Sequence, residues 1–222
     1  GGGGDDFYNG VIENSLRLNS PDGASLSFSP ATSGSSDKIF TVSWWMKLAG
    51  TPIISGDDYF FDFGGEGNIS MKGSDSADVG KFAGNLRASG STNRFWKGTS
   101  RLRDTNSWYH IVAVIDSTSG VGTDRFKLYI NSKRETIVAV ENYPPPHTAQ
   151  MKNTAAILIG NESASDSYTF DGYMTDWYMI DGYALGPENF GEYKSGVWIP
   201  KAYAGPPPLI TDSSLSEHSI YY

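Results

Sequence analysis

The sequence predicts an all-β protein, a two-sheet antiparallel sandwich with one short helix. Three observations predict it. Phe40, Val42, Trp44, Met46 and Leu48 alternate with Thr41, Ser43, Trp45 and Lys47, the period-two pattern of a strand with one buried face. Residues 108–116 and 125–131 are β-rich runs joined by a Gly/Ser/Thr linker, which reads as an antiparallel pair. The composition holds 13 Tyr, 11 Phe, 6 Trp and 26 Gly with little helical spacing, which suits many short strands and tight turns. At 222 residues the chain fits one sandwich domain.

The elements follow in order. Residues 1–10 form a Gly-rich lead, read as a flexible linker. Leu16 and Leu18, then Leu26 and Phe28, flank the turn Ser20-Pro21-Asp22-Gly23 and predict a hairpin. After the 40–48 strand, shorter strands are expected at 59–63, 69–72, 81–87 and 94–96, separated by Gly, Ser and Asp loops. The long pair 108–116 and 125–131 follows, then strands at 137–140, 156–160 and 170–180. Tyr143-Pro144-Pro145-Pro146 cannot join a central sheet, because proline donates nothing to the ladder. Residues 187–193 carry the predicted helix, with Pro187 at its first turn and Gly196 past its end. The domain is bounded at 11–200, and 201–222 is a Pro-rich tail.

Composition also excludes. A net charge of −8 argues against nucleic acid or an anionic membrane as partner, since both select basic patches. No apolar run approaches the ~18 residues of a membrane span. With no cysteine, disulfides contribute nothing and the redox compartment is not assigned. The opening Gly1-Gly2-Gly3-Gly4, without Met, predicts a processed product or part of a longer polypeptide.

Several segments carry a family resemblance. W-Y-H-I-V-A-V-I-D at 108–116, followed by K-L-Y-I-N at 127–131, resembles the laminin-G-like, concanavalin A-like jelly rolls. The segment 13–26 resembles their opening and 40–47 their first long strand. F-D-G-Y-M-T-D-W-Y-M-I-D-G-Y-A-L-G-P-E-N-F-G at 170–191, with G-V-W-I-P-K-A-Y at 196–203, resembles such domains in structural proteins of marine bacteriophages. The resemblance implies a jelly-roll sandwich in a virion fibre, tail or head decoration, at the particle surface. Its partners would be other virion subunits or further copies of itself, and host-surface carbohydrate. A secreted or bacterial cell-surface carbohydrate-binding module is the alternative. Gly205-Pro206-Pro207-Pro208 departs from the relatives, and the tail ending Ile220-Tyr221-Tyr222 is expected at a subunit interface.

Candidate chemistry is sparse. The sandwich hydrolases of this fold carry E-x-D-x-x-E on one strand, which sets a nucleophile and an acid about a sugar bond. The chain has eight Glu and none makes that pattern, so no catalytic residue is assigned. Asp57, Asp58 and Asp62 cluster in one region and Asp75 and Asp78 in another. They are candidate Ca²⁺ ligands, although Asp also simply favours turns. Trp45, Trp96, Tyr168 and Trp177 are the candidate sugar-stacking rings, by alternation or loop position. Trp44 and Trp108 are expected to be structural. His110, expected on the inner face with Trp108 and Val112, is read as packed and hydrogen-bonded. Asp176 shares a predicted face with Met174, Tyr178 and Ile180, so its carboxylate must find partners.

Overall fold

The computed structural model describes residues 12–29, 36–50, 56–65, 67–73, 76–87, 93–139, 155–162 and 169–205. Tyr168, Asp75, the lead 1–10 and the tail beyond Gly205 lie outside the described residues.

The strands are β1 (Leu16–Leu18), β2 (Leu26–Phe28), β3 (Ile39–Leu48), β4 (Asp57–Asp62), β5 (Gly67–Lys72), β6 (Lys81–Arg87), β7 (Asn93–Arg101), β8 (Tyr109–Asp116), β9 (Phe126–Ile130), β10 (Lys133–Arg134), β11 (Ile137–Ala139), β12 (Ile157–Ile159), β13 (Gly172–Asp181), β14 (Gly191–Lys194) and β15 (Val197–Pro200). A six-stranded sheet runs β1-β13-β3-β8-β9-β10 and faces a seven-stranded sheet, β11-β7-β6-β5-β4-β12-β2. The pairing in both is antiparallel. This is the jelly-roll sandwich, and β8 with β9 forms the expected pair.

The sheets close on an aromatic core. Phe40, Val42, Trp44, Met46 and Leu48 line the inner face of β3, as alternation predicts. Trp44 meets Phe61 edge-on at 4.7 Å and Phe60 at 5.9 Å. Both Phe60 and Phe61 reach the core because β4 carries a bulge between Tyr59 and Phe61.

Three expectations change. The opening segments are no hairpin: β1 pairs with β13 in one sheet and β2 with β12 in the other. The 3-10 turn Ser20–Asp22, closed by Gly23 at φ 63°, turns a corner between the sheets instead of reversing the chain. The predicted helix shrinks to the 3-10 turn Pro187–Asn189, and β14 follows it. Gly191–Lys194 pairs with Val197–Pro200 while Phe190 packs into a core on the six-stranded sheet, so strand pairing wins over helical spacing. β7 is also far longer than the 94–96 run, because it pairs along both β6 and β11.

The hairpin β14–β15 adds a third layer. It packs on the outer face of the six-stranded sheet, where Val112, Val114, Tyr178, Ile180, Phe190 and Tyr203 form a second, smaller core. Phe190 and Tyr203 rings lie 5.0 Å apart.

Candidate carbohydrate-binding face

The third layer decides which side chains reach solvent. Trp45 points away from the main core, as alternation predicts, yet it is only 5% exposed. Its ring stacks on His110 at 4.8 Å, and His110 in turn stacks on Trp198 at 5.9 Å. Trp198 Nε1 donates to His110 Nδ1 at 2.9 Å, and His110 Nε2 lies 2.9 Å from Ser43 Oγ. Because Nδ1 accepts, the neutral ring carries its proton on Nε2 and donates it to Ser43. Burial pushes the His110 pKa down to about 3. His110 is therefore the packed, hydrogen-bonded histidine expected. It faces the outer layer rather than the main core, because Ile111, Ala113 and Ile115 fill the inner face of β8.

Of the other predicted rings that are described, Trp96 is buried and Trp177 is half-buried and turned inward. Trp96 lies in the main core with its ring 4.6 Å from Phe126. Trp177 turns inward against Phe28 and Phe61, at 5.6 and 5.3 Å. The cause is a bulge in β13. Thr175 pairs with Trp45 and Tyr178 with Ser43, so one extra residue enters the strand. Asp176 occupies the bulge at φ 50°. Past it the faces exchange: Trp177 and Met179 face the main core, and Tyr178 and Ile180 the outer one. The face expected to hold Met174, Asp176, Tyr178 and Ile180 together is thus divided, with Met174 in the main core and Tyr178 and Ile180 in the outer one. Burial raises its pKa against a side-chain hydrogen bond from Tyr178, and Oδ2 lacks a partner.

The described aspartates Asp57, Asp58, Asp62 and Asp78 are not gathered into a Ca²⁺ site, and Asp75 lies outside the described residues. Lys72 Nζ takes Asp57 at 2.6 Å, and Asp62 Oδ1 accepts the Gly65 N–H at 2.7 Å. Asp78 is bound by Lys81 at 2.7 Å and Lys97 at 2.6 Å, whose hydrogen bonds lower its pKa to about 2. Asp58 faces inward opposite Met71 and is 6% exposed. Burial, then the Asp171 and Asp57 charges, raise its pKa to about 7. Lysines therefore hold the carboxylates of Asp57 and Asp78, two of the oxygen donors that Ca²⁺ would require. Among the described residues no group of three or more His, Cys, Asp or Glu is arranged to hold a metal.

What does reach solvent is a row that sequence reasoning missed. Among the described residues, the hairpin β14–β15 is the element that packs on the outer face of the six-stranded sheet, and Tyr173 and Trp108 on that face are exposed. Arg17 on β1 pairs with Tyr173 on β13, and Tyr173 pairs with Lys47 on β3. Continuing the register that joins Met46 to Tyr109 places Trp108 opposite Lys47. Trp108 is 37% exposed and Tyr173 36%. Trp108 is therefore a surface ring and not the structural residue expected, because the strand begins one residue after it. The Arg17 guanidinium lies 5.3 Å from the Tyr173 ring centre and bonds Asp171 at 2.7 Å. Only knowing which half of this face the hairpin covers could have singled out these rings.

Residues 21–189 match the family described as the concanavalin A-like lectin/glucanases superfamily. No curated protein sequence matches the chain. Solved structures similar to it include domain 4 of AbnA, a GH43 extracellular arabinanase from Geobacillus stearothermophilus, in complex with arabinotriose. It is 17% identical, with TM-score 0.48, over 80% of this chain and 75% of that one. A native heptameric SAP-like pentraxin from Limulus polyphemus is 20% identical, with TM-score 0.46, over 70% and 68%. The binding domain of botulinum neurotoxin serotype C1 is 13% identical, with TM-score 0.45, over 70% of this chain but only 36% of that one. With the family match spanning most of its length and two antiparallel sheets in place, the chain belongs to the concanavalin A-like lectin/glucanase superfamily.

Proposed function

We propose that this chain is a non-enzymatic carbohydrate-binding and adhesion module that works as a structural part of a virion, in a fibre, tail or head decoration. The observation that carries the binding reading is the pair of exposed rings, Tyr173 and Trp108, on the outer face of the six-stranded sheet. Aromatic faces take the C–H faces of pyranose rings while neighbouring polar groups take hydroxyls. Membership in a lectin and glucanase superfamily supports a sugar ligand. The missing E-x-D-x-x-E strand supports binding over hydrolysis. The particle setting rests on the resemblance of 170–191 and 196–203 to phage structural domains.

A glycan array probed with the isolated domain tests the binding reading. Binding without turnover of β-glucans, galactans or sialosides is expected. Turnover abolished by changing one carboxylate would overturn it. Mass spectrometry of purified particles tests the setting, and a chain found only in secreted or cell-surface material would favour the carbohydrate-binding module of a carbohydrate-active protein. Deleting 205–222 should weaken incorporation more than folding. A deletion variant that assembles normally removes the interface role of the tail.

A further inference from the structure

The row Arg17–Tyr173–Lys47–Trp108 runs across four neighbouring strand positions of one sheet face. Its two exposed rings stand two strand spacings apart, about 10 Å. That is the length of a short oligosaccharide rather than of a single ring. Arg17 occupies the β1 side of Tyr173 and is itself committed to Asp171, Asn19 and the Gly172 carbonyl. It holds Tyr173 in place and has little charge left to offer. The free side of Tyr173 is the side toward Lys47.

Lys47 differs from the other cations of the face. Its strand position lies between those of the two rings, it is half-buried, and its ammonium makes no hydrogen bond or ion pair among the described residues. The acid that acts on it is Asp104. That carboxylate is already occupied: the Ser107 hydroxyl and the Asn106 N–H hold its pKa below the usual range, and Lys47 is the smallest contributor. A protein of net charge −8 thus places at this row an ammonium that has the Asp104 charge nearby but no direct hydrogen bond or ion pair among the described residues. Such a cation gives a charge-assisted bond to an anionic oxygen and little selectivity for a neutral hydroxyl.

Resting on the carbohydrate-binding reading, we propose that this row is the glycan site and that its ligand is an oligosaccharide carrying a carboxylated pyranose. Trp108 and Tyr173 stack on ring faces and Lys47 pairs with the carboxylate.

The test uses the intact chain in calorimetric titrations with three probes: an oligogalacturonate, an alginate oligomer and a sialylated oligosaccharide, each beside its carboxyl-reduced counterpart. Binding of at least one acidic probe is expected, with its reduced counterpart weaker by about tenfold or more. Lys47→Gln should erase that difference, Lys47→Arg should restore most of it, and added salt should weaken wild type more than Lys47→Gln. Trp108→Ala and Tyr173→Ala should each weaken acidic and reduced probes alike. The substituted side chains all reach the surface, and unchanged thermal melting confirms that the variants fold. Equal binding of acidic and reduced probes overturns the carboxylate assignment and leaves the carbohydrate reading standing. Tight acidic binding untouched by the substitutions places the site elsewhere and overturns this proposal alone. Failure of every glycan, on the array as well, overturns both.

Discussion

Trp198 Nε1 donates to His110 Nδ1 at 2.9 Å, and this bond joins the third layer of the molecule to its six-stranded sheet. It links a residue of β15 to one of β8, 88 positions away. It also fixes the imidazole tautomer and completes a stack of Trp45, His110 and Trp198. Gly191 makes the stack possible, since a Cβ there would run into the Trp198 indole.

Trp198→Phe keeps an aromatic ring, smaller than the indole, and removes the donor. It leaves a buried acceptor unmade, which costs roughly 1–3 kcal/mol. A denaturant titration should show that loss, and an unchanged midpoint would mean that the bond contributes nothing.

Trp44→Ala and Trp45→Ala should both be severe, each about 3–5 kcal/mol as for large aromatic truncations in cores. Period-two reasoning alone expects Trp45 to be the milder change. The third layer removes that asymmetry, because both rings are enclosed. A small loss at Trp45 would show that the hairpin is not seated on the sheet in solution.

Two buried groups make opposite pH slopes. Asp58 has a folded pKa of about 7 against 3.8 for the free group, so the folded state holds the extra proton. Its contribution is present below about pH 4 and is lost as pH rises toward 7. His110 has a folded pKa of about 3 against 6.5, so the unfolded state holds the extra proton. Its contribution is present above 6.5 and is lost as pH falls toward 3. A tenfold difference in proton affinity between the folded and unfolded states is worth roughly 1.4 kcal/mol. Between about pH 4 and 6.5 the two groups oppose one another. Asp58→Asn removes one slope. Stability of the variant should rise more steeply than wild type across that window and exceed it at about pH 8. Identical pH profiles for the two proteins would contradict the burial of Asp58.

Asp176 sits at φ 50° with an unpartnered Oδ2. Asn tolerates that backbone and carries no charge, so Asp176→Asn should be neutral or stabilising. Asp176→Val should lose about 1–2 kcal/mol from the backbone alone. Thermal melts of the two variants check this. Equal melting of both would remove the bulge as the reason for an acid there.

The sandwich and most of its strands were legible in the residues before any packing was known. Alternation in 40–48 and the runs at 108–116 and 125–131 are local records of a pleated chain with a buried face, and they needed no partner to be read. The lack of a hydrolase carboxylate strand was equally plain. Which rings face water was settled only when the layers came together. One inserted residue at Asp176 exchanged the faces of β13 and turned Trp177 inward. The hairpin β14–β15, drawn onto the sheet by Phe190, Trp198 and Tyr203, buried Trp45 from outside. Exposure is a property of what covers a face. Alternation defines the two faces of a strand, but the covering element lies far away along the chain, and only packing brings the two together.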